Sequence, residues 1–459
     1  MPKKYDAIII GTGQSGPPLA GRLNQEGLKT AIVERKLVGG TCVNVGCTPT
    51  KTLVGSARVA YTSREADRFG VSIAGDISVD MRRVRAHMKE VAAASNRNVT
   101  NWLEKMENLD LIRGHAQFIG PHSVTADGDV LEAERIFINV GARARIPDWE
   151  GLNEVPFFTS SSIMDVDFLP EHLIIVGGSY IGLEFAQIYR RFGSEVTVVE
   201  MSDRIIQRDD EDVSAAVLEI LEGEGIQFRL QADCLHARAT ESGIAVRVAC
   251  ENGPEEVTGS HLLLAVGRIP NTDDLGLDKA GIESSQRGMI NVDDFLRTNV
   301  AGVWAMGDVN GRGAFTHTSY NDYEIIAANL FDNDPRKVTD RIPCYGLFID
   351  PPLGRIGMTE NEVRASGRRA LVGRRMMTRV SRAREFGDTR GFIKIIVDAD
   401  SEEILGAAIL GLSGDEAIHC LLDIMSAHKP YSVISRAVHI HPTVSELIPT
   451  VLQDLVPLQ

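Results

Sequence analysis

Apolar positions along the chain fall into short runs that end on glycine, and one order of runs occurs twice. The stretch "YDAIIIGTGQSGPPLAGRLNQEGLKTAIVE" opens on an apolar run, turns on glycines, continues for a helix length and returns to an apolar run ending in Glu34. "HLIIVGGSYIGLEFAQIYRRFGSEVTVVE" repeats that plan and ends in Glu200, with the same spacing from Gly177 to Glu200 as from Gly11 to Glu34. Each pattern predicts a βαβ unit with parallel strands. Each unit is followed by a further strand-then-glycine signal, "IFINVGARARIP" around Gly141 and "LLLAVGRIPNT" around Gly267, and "GVWAMGDVNG" around Asp308 closes the second half. From about residue 341 the texture changes. "KIIVDADSEEILGAAILG" predicts strands joined by a turn, and "DEAIHCLLDIMSAH" an apolar helix, so a separate C-terminal α+β domain is expected over 341–459.

Composition narrows the class. A chain of 459 residues exceeds one hydrophobic core, so two to four domains are expected. A formal net charge of −15 argues against sequence-independent nucleic-acid binding, which needs a basic surface. The longest apolar runs, such as "HLLLAV", fall far short of a membrane span. "MPKKYDAIIIG" runs straight into glycines and reads as a first strand, not a signal peptide, so a cytoplasmic location is expected.

The glycine turn that opens a βαβ unit is where a dinucleotide pyrophosphate rests on a helix N-terminus. In the first unit Gly11, Gly13 and Gly16 allow that approach, and Glu34 is placed to accept from a ribose diol. In the second, Gly177 and Gly182 hold the first and third glycine positions while Ser179 narrows the second. Glu200 favours NAD over NADP, because a carboxylate repels a 2′-phosphate; Arg204 and Arg208 close behind read as a solvated basic pair. Two such sites imply two dinucleotides, a flavin and a nicotinamide. The fold class expected is therefore α/β, with two Rossmann-like dinucleotide-binding domains and the C-terminal α+β domain.

Just after the first unit, "GGTCVNVGCTPTKT" places Cys42 and Cys47 five residues apart. A reducing compartment disfavours a permanent bridge, and Cys234, Cys250, Cys344 and Cys420 are scattered. Zinc lacks a second pair to complete four ligands. Flanking glycines and Lys51 argue against two inert thiols. In a regular helix this spacing cannot bridge, and Pro49 requires any helix here to be distorted or to begin late. Such a helix sets Lys51 on the face of Cys47, where a cation supports a thiolate. Near the C-terminus, "HIHPTVSE" alternates His439 and His441 and follows with Glu446, a pairing suited to holding an imidazole in one tautomer.

These motifs resemble the class I pyridine nucleotide-disulfide oxidoreductases: glutathione reductase, dihydrolipoamide dehydrogenase and mercuric reductase. The resemblance spans essentially the whole chain: "GGTCVNVGCTPTK" is similar to the redox-disulfide segment, "GGSYIGLEFA" to the nicotinamide turn, "WAMGDV" to the second flavin motif and "HIHPTVSE" to the catalytic histidine segment. It implies FAD in a domain formed by 1–150 and 271–340, NAD(P)H in 151–270 with NADH favoured, and a homodimer built through 341–459. Cys42 is then the interchange thiol and Cys47 the thiol facing the flavin. Lys51 approaches the flavin and pairs with Glu184, Tyr180 gates the nicotinamide pocket, and Asp308 binds the ribityl chain. His441, with Glu446 as partner, serves the cysteines of the other subunit. Thr41, Ala116, Gly141, Gly267 and Thr316 complete the implied cofactor contacts.

"SRAREFGDTRGFIKIIVD" and Ser179 resemble the mercuric-reductase-like branch, and "PPLGRIGMTE" the reactive-chlorine-resistance flavoproteins linked to metal-ion reduction. The ending "QDLVPLQ" lacks the vicinal cysteines of mercury enzymes, and the flavin strand begins at once, without a metal-binding domain before it. The expected function is electron transfer from NAD(P)H through FAD and a Cys42–Cys47 disulfide to a small-molecule or protein disulfide. A Hg(II) or Cu(II) reductase using the same thiols is the alternative, and a redox-responsive flavoprotein binding partner a third.

Overall fold

The computed structural model describes residues 1–241, 243–249 and 255–458. Cys250 lies outside the described residues. The apolar runs become the three largest of the five sheets among the described residues. The first has the strand order Leu109–Arg113, Thr30–Glu34, Lys3–Ile10, Asp129–Ile138, Ser123–Ala126, Gln117–Gly120, parallel across its first four strands. Val303–Ala305 joins it later in the chain, parallel to Asp129–Ile138. The second sheet is wholly parallel: Gln227–Arg229, Glu195–Val199, His172–Val176, His261–Leu264, Phe158–Thr159. Their central strands are buried on both faces, which is why "AIII" and "HLLL" read as unbroken apolar runs.

The third sheet is antiparallel and six-stranded, with Phe392–Asp398 and Ile404–Leu410 at its centre. The expected C-terminal helix divides into Gly414–Ala417 and His419–Ser426. Among the described residues, no helix is long and apolar enough to cross a membrane.

The repeat seen in sequence persists as a repeat of hydrogen bonds. Gly11 N donates to Val33 O and Gly177 N to Val199 O, each at 2.8 Å. Both glycines take positive φ, +103° and +114°, and a Cβ on either would lie within 2.4 Å of a carbonyl oxygen on the adjacent strand end, Asn139 O or Ala265 O. The turns are fixed by close backbone approach, so only glycine fits.

Packing between the second and third sheets centres on a buried guanidinium. Arg191, on helix Tyr180–Phe192, lies 2.7 Å from Glu224 and 2.6 Å from Asp350, with its side chain 2% exposed. Its guanidinium also stacks on Tyr61 at 4.0 Å, tying in helix Cys47–Arg64. Removing one member of a buried pair strands its partners' charge, at a cost of about 3–5 kcal/mol. Arg191→Met is therefore expected to lower the unfolding free energy by about that amount, while a surface control, Lys3→Met at the exposed Asp129 pair, leaves it nearly unchanged.

Candidate active site

The cysteine segment is two helices rather than one. Gly40–Asn44 carries Cys42, and Cys47–Arg64 starts at Cys47. Between them Val45 and Gly46 break the helix. A Cβ on Gly46 would lie 2.8 Å from Thr41 O, so the chain folds back tightly there. Pro49 falls in the first turn of the second helix, where its missing N–H would have had no intrahelical partner. The late start leaves Cys42 and Cys47 near enough for each to perturb the other's ionisation, where one regular helix would separate them. Cys42, Cys47, Cys234, Cys344 and Cys420 are all free thiols.

Their environments push the two thiols apart. Cys47 is lowered to about 6, first by the hydrogen bond from Cys42, then by Thr316 and the Lys51 charge, against burial and Glu184. Cys42 is raised, because it donates to Cys47 and is itself desolvated. Cys47 Sγ lies 3.2 Å from Thr316 Oγ1, and Thr316 is the first residue of helix Thr316–Ala327. Two helix N-termini thus converge on one sulfur, the arrangement that favours a thiolate. In the reduced protein the ultraviolet thiolate absorbance of Cys47 is expected to be present above about pH 6 and lost as pH falls through it. Lys51→Met moves that midpoint upward.

Lys51 Nζ is 2.7 Å from Glu184 Oε2 and sits 4.6 Å from the Phe348 ring centroid. Glu184 is buried and accepts Phe348 N through its other oxygen at 3.0 Å. Three parts of the chain meet there: the thiol helix, the helix of the second dinucleotide unit and the C-terminal domain. Tyr180, at the start of the second of these, packs edge-on against Phe315 at 6.1 Å and Tyr345 at 5.3 Å.

The two glycine turns bind their terminal acids alike. Glu34 Oε2 accepts from Thr12 N at 3.0 Å and from Thr12 Oγ1 at 2.5 Å; Glu200 Oε2 accepts from Gly178 N at 2.7 Å. Gly13 lies against the redox segment itself, since a Cβ on Gly40 would be 2.8 Å from Gly13 Cα. Gly16 and Gly182 open the following helices against Gly11 O and Gly177 O. Both cradles fit a pyrophosphate at a helix N-terminus, with the carboxylate at the ribose position. Ala116 is buried, Thr41 is exposed, and Gly141 and Gly267 take positive φ at the strand ends. Asp308 is half-buried in the turn Gly307–Asn310, 3.4 Å from Arg268, and burial raises its carboxyl.

A cavity of about 180 Å³ is walled by Ser179, Glu200, Ser202, Arg204, Ile206 and Arg208. This corrects the reading of Arg204 and Arg208 as a merely solvated pair: the strand end curls back, because Ile206 N donates to Gly178 O at 2.9 Å, and both residues line the cavity beside Glu200, with Arg208 exposed and Arg204 Nη1 3.3 Å from Glu211.

His441 Nδ1 is 2.8 Å from Glu446 Oε2 and 3.0 Å from Oε1, and its side chain is 73% exposed. His439 instead turns to Ala437 O at 3.2 Å. Among the described residues, the hydrogen-bond partner of His441 within the chain is Glu446, not either thiol.

Several residues of the site carry no local sequence signal. Phe348, Tyr345 and Asp209 reach it only through long-range packing. Asp322, which accepts Gly307 N at 2.8 Å and Asn310 Nδ2 at 2.9 Å and pairs with Arg341, supports the Asp308 turn from inside. The acid in "NDYE", inside helix Thr316–Ala327, gave no hint of that burial.

The model of the family described as "Pyridine nucleotide-disulphide oxidoreductase" matches residues 5–322, and that of its dimerisation domain residues 344–452. The chain is 36% identical over 452 residues to the "Probable pyridine nucleotide-disulfide oxidoreductase RclA" of Escherichia coli strain K12, covering 96% of this chain and 97% of that one. It is 31% identical to a dihydrolipoyl dehydrogenase of Bacillus subtilis strain 168, covering 98% and 97% of the two chains. With a mercuric reductase of Streptomyces lividans it shares 30%, covering 97% and 94%. Among solved structures, the "HOCl-induced flavoprotein disulfide reductase RclA" from Escherichia coli superposes with TM-score 0.90 at 35% identity, over 98% of this chain and 99% of that one. A Cu(II) complex of the same protein gives TM-score 0.89 at 34% identity, over 97% and 99%.

Proposed function

The chain belongs to the pyridine nucleotide-disulphide oxidoreductases, and from that premise we propose that it is a cytoplasmic homodimeric reductase carrying electrons from NAD(P)H, with NADH favoured, through Cys42 and Cys47 to a disulfide acceptor. The observation that carries this reading is the placement of the thiol pair: Cys47 Sγ stands at the N-termini of two helices, 3.2 Å from Thr316 Oγ1, with the Lys51–Glu184 pair on the next turn of its own helix.

FAD would be held by Gly11, Gly13, Gly16, Glu34, Thr41, Ala116, Gly141, Thr316 and Asp308, and when bound would supply hydride acceptance from the nicotinamide and two-electron delivery to the Cys42–Cys47 disulfide. The nicotinamide dinucleotide takes Gly177, Gly182, Glu200 and Gly267. Lys51, fixed by Glu184, keeps a cation beside Cys47. Tyr180 covers the nicotinamide position. Cys42, once its proton has gone to His441 Nε2 of the second subunit, attacks one sulfur of the acceptor disulfide and expels the other as a thiolate, which recovers the proton. Cys47 then attacks Cys42, releases the second acceptor thiolate and restores the Cys42–Cys47 disulfide. Glu446 on His441 Nδ1 fixes the tautomer that leaves Nε2 free to act.

A second reading rests on the relative that has been seen as a Cu(II) complex. Two thiols are soft ligands suited to Cu(II) or Hg(II), and the same pair would then reduce a metal ion. The branch within the family follows from the acceptor. Turnover of NADH and NADPH with a panel of disulfides, set against Cu(II) and Hg(II), separates the two readings. Disulfide-dependent oxidation is expected; metal-dependent oxidation with no disulfide turnover would sink the first reading. Arg204 and Arg208 in the cavity wall predict measurable activity with NADPH as well, at a lower kcat/KM than NADH, because Glu200 stands at the same place.

A further inference from the structure

A buried carboxylate outside the thiol site holds two rings of the Tyr180 cluster at once. Asp209 accepts the Tyr180 hydroxyl on Oδ2 at 3.0 Å and the Tyr345 hydroxyl on Oδ1 at 2.8 Å, and its side chain is 0% exposed. The two tyrosines come from different domains: Tyr180 opens the helix of the second dinucleotide unit, while Tyr345 lies on the edge strand Cys344–Leu347 of the C-terminal sheet. Their rings meet edge-on, and Phe315 stacks on Tyr345 at 5.7 Å beside Thr316, the residue touching Cys47.

Among the described residues the cation beside Asp209 is Arg355, also buried, with Nε 3.7 Å from Asp209 Oδ1; its Nη2 lies 3.8 Å from Asp210 Oδ2, a carboxylate already paired with Lys394 at 2.8 Å. Its Nη atoms donate to the carbonyls of Ile356, Ala407 and Met358, while Nε has no hydrogen-bond partner. The loop bearing Asp209 is equally fixed. Ile206, a β-branched residue, takes φ +40° and is held there by its amide on Gly178 O, and Asp209 N donates to Ile206 O at 2.9 Å. A β-branched residue in the left-handed region persists only where its surroundings impose it. The clamp runs from the glycine turn that precedes Tyr180, through Ile206, to the carboxylate that returns to the Tyr180 hydroxyl.

We propose that Asp209 is a positioning residue that latches Tyr180 to Tyr345 as a two-ring gate over the nicotinamide position, with Arg355 compensating its charge when Tyr180 swings away. The proposal rests on the reading of Tyr180 given above. Because Tyr345 and Arg355 stay with Asp209 in the open state, opening costs one hydrogen bond instead of an abandoned buried charge. A ligand for the open state then binds more weakly by the fraction of molecules that are open.

The test is stopped-flow flavin reduction by NADH on the FAD-loaded enzyme, which separates the apparent Kd from the limiting rate. Tyr180→Phe keeps the ring and removes the hold; it is expected to lower the apparent Kd about three- to tenfold. Asp209→Asn should shift it in the same direction, and Asp209→Asn in the Tyr180→Phe background should add nothing. Tyr345→Phe leaves Asp209 to Tyr180 alone and should raise the apparent Kd, an opposite sign that general loosening of the fold does not produce. If Asp209→Asn fails to fold with FAD, the opposite shifts of Tyr180→Phe and Tyr345→Phe decide. Additive effects, or a fall in limiting rate with unchanged Kd, overturn the latch. An unmutated enzyme whose flavin is not reduced by NADH or NADPH at all would instead overturn the reading beneath it.

Discussion

Cys42→Ser is expected to reduce disulfide-dependent NADH oxidation by about a thousandfold or more, since the proposed mechanism makes Cys42 the thiol that attacks the acceptor. The prediction follows from the unequal placement of the thiols. Cys47, lowered to about 6, lies against Thr316 and Lys51 at the convergence of two helix N-termini. Cys42 occupies the separate short helix Gly40–Asn44 and is the thiol proposed to meet the acceptor. Serine at position 42 retains a hydroxyl able to donate to Cys47, so the Cys47 thiolate should survive the substitution. The variant is accordingly expected to accept one hydride equivalent from NADH per subunit in a single-turnover measurement, and then to stall. Retention of disulfide turnover within tenfold of the parent would mean that Cys42 is not the interchange thiol. The same variant tested with Cu(II) distinguishes a metal route needing both thiols, which also stops, from one that bypasses Cys42 and continues.

The parts of this site that were legible in sequence are those whose chemistry is local. Gly11 and Gly177 sit where backbone packs on backbone, and no other residue type fits, so the repeat survives in the letters themselves. Cys42, Cys47, Pro49 and Lys51 share one short segment; the proline required a helix either distorted or late to begin, and the structure has the late start. Distance in sequence is what hid the rest. Phe348 reaches Glu184 across 164 positions and Tyr345 reaches Asp209 across 136, through the packing of a C-terminal sheet whose docking surface no single segment encodes. Arg204 and Arg208 were misplaced for a related reason. A basic pair after a strand looks like a solvated turn unless one knows that Ile206 bends the chain back onto Gly178. Asp209 looked like one more acid in "QRDDED", and only burial between two domains makes it a shared acceptor.

His441→Gln is expected to slow disulfide turnover by about 10²- to 10⁴-fold while leaving flavin reduction by NADH unchanged, because the imidazole handles only the interchange proton. Cys42 makes that proton a real obstacle: hydrogen bonding to Cys47 and burial both push its thiol upward, so attack on an acceptor requires a base. The His441–Glu446 pair is suited to be one, yet among the described residues the His441 ring bonds to Glu446 and to neither thiol, and it stands on the surface. Beside it Val438 and Ile440 are also exposed, at 101% and 80%, an apolar segment suited to a partner surface. If the base acts across a two-fold interface, each site combines Cys42 of one subunit with His441 of the other. Mixing Cys42→Ser and His441→Gln subunits, both nearly inactive alone, then creates heterodimers with one intact and one doubly defective site. Random reassortment should restore about a quarter of parental activity, since half the dimers are mixed and half their sites are whole. Were both residues to serve the same chain, every site in the mixture would carry one defect, and no activity would return however the subunits exchanged.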